Sequence, residues 1–85
     1  MIFKSAETRC LFKILEILNS KESKYSEMFK HTKVSHTTLQ AVLKEAINTQ
    51  LIEKEDIGHQ NVNYRITGKG KKVYNYLLEL NKLIK

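Results

Sequence analysis

One change in the spacing of the apolar residues limits this chain more than any other feature. As far as Thr49 they recur every three or four positions; beyond Leu51 they alternate. The first spacing stacks side chains along one face of a helix, and the second lays them on one face of a strand. Helical spacing returns after Thr67. The chain must therefore make helices, then a short β-ribbon, then another helix.

Individual segments follow from that frame. "SAETRCLFKILEILNS" carries Leu11, Ile14, Leu15 and Leu18 at helical spacing, with Glu7 near the positive end of the helix dipole, and reads as a helix from Ala6 to Asn19. "NSKESK" then reads as a loop. "KYSEMFKHT" is a short second helix with Tyr25, Met28 and Phe29 inward, and Val34 plugs the corner after it. Ser35 can cap a third helix from His36 to Thr49 that buries Leu39, Val42, Leu43, Ala46 and Ile47. "LIEKEDI" and "VNYRIT", separated by "GHQN", make a β-hairpin. Thr67 can cap a last helix to Ile84 with an apolar stripe of Val73, Tyr76, Leu77, Leu80, Leu83 and Ile84; Tyr74 and Leu78 fall outside that stripe. The fold class is mainly α with a β-hairpin, in the order helix, helix, helix, strand, strand, helix.

The length of 85 residues and the 41% hydrophobic content suit one small folded unit and no second core. Cys10 is the only cysteine, so no disulfide can form within the chain. With no signal-peptide pattern and no apolar run long enough for a membrane span, the expected location is the cytoplasm. Fifteen basic residues against nine acidic ones give a net charge of +6, which favours an anionic partner, nucleic acid being the commonest. Lysine-rich composition alone also serves solubility, so the placement of the charge has to decide.

"VSHTTLQAVLKEAINTQLIEK" resembles a pattern of prokaryotic winged-helix regulators: a capping Ser35, Thr38 three residues on, apolar Leu39, Val42 and Leu43, then Leu51 and Ile52 opening the hairpin. "YRITGKGKK" is similar to their strand-to-helix junction, with Tyr64, Ile66, Thr67, Gly70 and Lys71. The likeness covers about Leu11 to Leu80 and is nearest to small MarR-like, PadR-like and archaeal winged-helix regulators. Two positions depart from it: Gln50 stands where a helix-terminating Gly is usual, and Ala46 where a larger Leu is typical. The resemblance implies a single winged-helix domain over 1–85. Residues 6–66 would be its helix-turn-helix and wing, and 67–85 a final helix suited to dimerisation.

It also implies that the third helix enters the DNA major groove. His36, Thr37, Gln40 and Lys44 lie on its outward face and are the expected base-reading residues; Gln pairs with adenine, and Thr reaches a hydroxyl partner or a thymine methyl. Lys30, Lys33, Ser35 and Thr38 are placed for the phosphate backbone, and His59, Gln60, Asn61 and Arg65 for the wing contact. Residues 21–44 hold five lysines against two glutamates, and 57–72 hold Arg65, Lys69, Lys71 and Lys72 with no acid, while "EKED" at 53–56 is acidic. Positive charge therefore flanks the third helix and the wing. Val73, Tyr76, Leu77, Leu80, Leu83 and Ile84 offer more apolar surface than helix one, Ile2 and Phe3 can cover, so a homodimer through the last helix is expected. No metal-ligand spacing, phosphate loop or activated nucleophile is present in the sequence, which argues against an enzyme and against a bound cofactor. A winged-helix protein-interaction module and a low-specificity architectural nucleic-acid binder remain open as other readings.

Overall fold

The computed structural model describes residues 6–58 and 61–84, apart from the side chains of Ala6, Ile57, Asn61 and Ile84. Within them, the apolar spacing becomes structure almost segment for segment. The elements are α1 (Ala6–Ser20), β1 (Ser23–Lys24), α2 (Tyr25–Thr32), α3 (His36–Asn48), β2 (Ile52–Gly58), β3 (Asn61–Ile66) and α4 (Gly68–Ile84). No helix among the described residues is long and apolar enough to cross a membrane.

α1 is the hub. Its Cys10, Phe12, Ile14, Leu15 and Leu18 are buried, and α2, α3, α4 and β3 all pack on it. Met28 enters from α2, Leu39, Val42, Leu43 and Ala46 from α3, and Leu51 and Ile52 from the approach to the ribbon. Ala46 is buried in contact with this core and Ile47 packs half-buried beside it. The caps are as the sequence implied: the Ser35 hydroxyl accepts from the Thr38 N–H at 3.2 Å, and Thr67 Oγ1 accepts from the Gly70 N–H at 2.9 Å. At α2 the Glu27 carboxylate accepts from the Lys24 N–H, and that bond together with Lys21 holds its pKa below the ordinary glutamate value.

Two expectations need correction. The stretch read as the loop "NSKESK" contributes β1, so the ribbon becomes a three-stranded antiparallel sheet in the order β1-β3-β2. Local composition favoured a loop, but β3 has a free edge whose N–H and C=O groups need partners, and Ser23 and Lys24 supply them opposite Tyr64 and Asn63. Tyr74, placed outside the stripe of the last helix, is instead buried, its ring centroid 5.6 Å from that of Phe12. α4 turns Val73, Tyr74, Leu77 and Leu78 towards α1 and leaves Tyr76, Leu80 and Leu83 outside.

The junction after α3 is tightly built. Leu51 N–H reaches Ala46 C=O and Gln50 N–H reaches Ile47 C=O, closing the helix with Gln50 in the left-handed region at φ 64. Thr67 Oγ1 then donates towards the Gln50 and Leu51 carbonyls, and Lys69 Nζ donates to the Thr49 carbonyl at 2.9 Å. These bonds tie the start of α4 to the end of α3 and set the angle between helix and ribbon.

Candidate nucleic-acid interface

The outward face of α3 is an open polar surface. Because Leu39, Val42, Leu43 and Ala46 point into the core, the helical period forces His36, Thr37, Gln40, Lys44 and Asn48 outward, and all five are exposed. The side chains of Thr37, Gln40 and Lys44 make no hydrogen bond or ion pair with any described residue. Their side-chain donors and acceptors are spent on nothing among the described residues.

His36 is different. Its ring lies against Phe29, centroids 3.9 Å apart and planes 6° from parallel, and also stacks beside Tyr25 at 5.7 Å. Its Nδ1 sits 2.9 Å from the Tyr25 hydroxyl. That leaves only the Nε2 edge to face outward, in a fixed orientation. Tyr25, read from the sequence as a core residue, thus positions a surface histidine.

Of the expected backbone contacts, Lys30 and Lys33 are exposed and form no ion pair among the described residues. Lys33 occupies a left-handed cap at φ 57, its N–H on the Phe29 carbonyl, so it stands directly at the corner before α3. Ser35 and Thr38 are bonded to each other, hydroxyl to hydroxyl at 3.0 Å, and act as the cap of α3.

In the wing, His59, Gln60 and the Asn61 side chain lie outside the described residues. Arg65 is exposed, but its guanidinium is held by two carboxylates across the ribbon, Glu53 at 3.4 Å and Glu55 at 3.2 Å. The basic excess counted along residues 57–72 is therefore partly neutralised by the neighbouring acidic strand.

The ribbon does contribute a cation that charge counting missed. Lys54 pairs in register with Tyr64, on the sheet face opposite to Glu53, Glu55 and Arg65. Tyr25, Gln40, Leu43, Lys44, Ile47, Asn48, Lys54 and Tyr64 together line a groove of about 370 Å³ between α3 and the sheet. Burial, reinforced by the nearby Tyr25 phenol, pushes the Tyr64 phenol above its ordinary pKa, so it stays a neutral hydroxyl there. Two lysines, two amides and two phenols thus meet along one wall of α3. Among the described residues, no three His, Cys, Asp or Glu side chains gather as metal donors.

The expected dimer stripe divides on the structure. Val73 and Leu77 are half-buried against the core, Tyr76, Leu80 and Leu83 stand 69%, 44% and 79% exposed, and the Ile84 side chain lies outside the described residues.

A family model described as winged helix-turn-helix matches residues 5–85. Solved structures share the fold at low identity. A PadR family transcription regulator from Clostridium difficile R20291 superposes with a TM-score of 0.83 at 20% identity, covering 88% of both chains. Sso10a-2, a DNA-binding protein from Sulfolobus solfataricus, gives 0.80 at 17% identity over 95% of this chain and 81% of that one. A MarR family transcriptional regulator from Silicibacter pomeroyi gives 0.77 at 21%, covering 84% of this chain and 49% of that one. Among curated protein sequences none matches significantly.

Proposed function

The chain belongs to the winged helix-turn-helix family, and on that premise we propose that it binds double-stranded DNA as a transcriptional regulator, with α3 in the major groove. The observation that carries this reading is the unspent outward face of α3. The side chains of Thr37, Gln40 and Lys44 are exposed, have no partner among the described residues, and are free of carboxylates until Glu45. Regulators of the PadR and MarR families and the DNA-binding protein Sso10a-2 share the fold, which adds support.

In this reading Thr37 and Gln40 contact base edges and His36 offers its Nε2. Lys44 continues that base-reading face, Lys30 and Lys33 meet phosphates, and Lys54 joins them from the ribbon. Ser35 and Thr38 shape the helix start rather than bind. Arg65 reaches a phosphate only by leaving Glu53 and Glu55. A second copy packs on Tyr76, Leu80 and Leu83 of α4 and sets two reading helices about one helical turn (roughly 34 Å) apart on a near-palindromic site.

Selection of bound duplexes from a random pool, with light scattering to count chains, tests the proposal. The selected motif should be enriched well over random duplex. Gln40→Ala should relax one position of it at a cost of about 1–3 kcal/mol. Lys30→Ala should weaken all sequences alike and reduce the salt dependence by about one phosphate contact. Equal affinity for selected and random duplex would leave an architectural binder; no duplex binding at low salt would leave a protein-interaction module.

A further inference from the structure

A cavity of about 240 Å³ opens beside the α2–α3 corner, away from the groove between α3 and the sheet. Arg9, Cys10 and Lys13 line it from α1, and Thr32, Lys33 and Val34 from the end of α2 and the corner. No acidic side chain is in its wall. Arg9, Lys13 and Lys33 form no ion pair with a described residue, so three like charges surround one hollow with no counter-charge paired to them among the described residues.

Thr32 supplies an independent observation. It is only 3% exposed, yet its Oγ1 is buried without any hydrogen-bond partner among the described residues. Buried hydroxyls are nearly always paired, and an orphan is destabilising unless a ligand completes it. We propose that this cavity binds a phosphate group. Arg9 and Lys13, one helical turn apart on α1, and Lys33 at the corner supply the charge, and the Thr32 hydroxyl supplies a donor.

The opposing terms are small. The C-terminal end of α2 carries about half a negative charge against three full positive ones, and its Phe29 carbonyl is already taken by the Lys33 N–H. Burial keeps the Cys10 thiol above its ordinary pKa, with Lys13 opposing, so the wall adds no thiolate to compete with an anion. The phosphate can come from the DNA backbone beside the footprint of α3 or from free phosphate and small phosphorylated molecules. Only the first source depends on the DNA-binding reading.

The test titrates the full chain with inorganic phosphate against chloride at equal ionic strength, reading thermal unfolding and the backbone amide shifts of Thr32, Lys33 and Val34. Phosphate should raise the midpoint by several degrees at about ten times its Kd, and the three amides should shift saturably. Thr32→Val should raise the midpoint in chloride, because the orphan hydroxyl is gone, and lose most of the phosphate increment. The double variant Arg9→Gln with Lys13→Gln, at one exposed and one half-buried position, should have a chloride midpoint no lower than the unaltered chain's and lose the increment. Duplex affinity in phosphate-free buffer then separates the sources. A several-fold loss in the double variant, with a salt slope lower by about one to two, assigns a DNA phosphate; unchanged affinity assigns a free one. Equal midpoints in phosphate and chloride with no saturable amide shift overturn the site whatever the duplex data show.

Discussion

Gln50 holds a backbone conformation that most side chains avoid. At φ 64 it fills the position after α3 where glycine would be free of steric penalty, and two hydrogen bonds around it keep the helix closed. The left-handed region costs a non-glycine residue roughly 1–2 kcal/mol, part of which glycine gives back through a freer unfolded chain. Gln50→Gly should therefore stabilise the protein by about 0.5–1 kcal/mol and raise the melting midpoint by about 4 °C. A midpoint that falls in calorimetry would mean the glutamine side chain makes a contact that outweighs its backbone strain. The departure at Gln50 was legible in the sequence as a missing glycine; how the chain tolerates it was not, because left-handed geometry leaves no compositional trace. Lys54 was hidden for a different reason. It lies between Glu53 and Glu55, so counting charge along "EKED" cancels it, yet alternation sends it to the opposite face beside Tyr64. His36 was legible as a surface residue, whereas its clamp by Tyr25 and Phe29 joins residues from two helices and needs the fold to be seen.

Elements with strong periodicity came through, and those made by tertiary demand did not. α1, α2 and α3 follow the apolar spacing to within a residue or so at their ends, since one buried face determines each of them. β1 has only two residues and no alternation of its own; it exists because β3 offers an open edge. The start of α4 shows how closely two elements can be fitted. A Cβ added at Gly70 would lie 2.0 Å from the Leu51 carbonyl oxygen and 2.7 Å from Ile66 Cγ1, whereas one at Gly68 would meet nothing within 4 Å. Gly70→Ala should push α4 off the α3–ribbon junction and lower stability by about 2 kcal/mol or more, a fall in midpoint of at least roughly 8 °C. Gly68→Ala is the control and should be neutral or slightly stabilising, because alanine is the better helix former. Equal midpoints for the two variants in thermal unfolding would mean that the junction has slack that the Leu51 contact does not suggest.

At the scale of the whole molecule, α4 leaves an apolar arc exposed. The sequence offered apolar residues around more than half its circumference, so spacing alone could not say which arc faces α1, and Tyr74 was assigned to the wrong side. With Val73, Tyr74, Leu77 and Leu78 turned inward, the outer arc reduces to Tyr76, Leu80 and Leu83, four and three residues apart on one ridge. Burying each side chain is worth about 1.5–3 kcal/mol, and a symmetric pair buries six of them, roughly 9–18 kcal/mol in gross terms. Association itself costs an estimated 4–15 kcal/mol, so the ridge supports a dimer that is moderately tight and responsive to single changes. Leu80→Lys with Leu83→Lys sets four like charges against each other across the pair and should give a monomer by sedimentation at concentrations where the unaltered chain is dimeric. Both positions are surface ones, so the variant should stay folded by circular dichroism. Its affinity for a duplex carrying one half-site should be unchanged, while affinity for two half-sites a helical turn apart should fall by about 100-fold or more as linked binding is lost. An unaltered chain that sediments as a monomer at tens of micromolar would remove the ridge as a self-association surface. A double variant that binds both duplexes as before would separate dimerisation from DNA binding even if the pair forms.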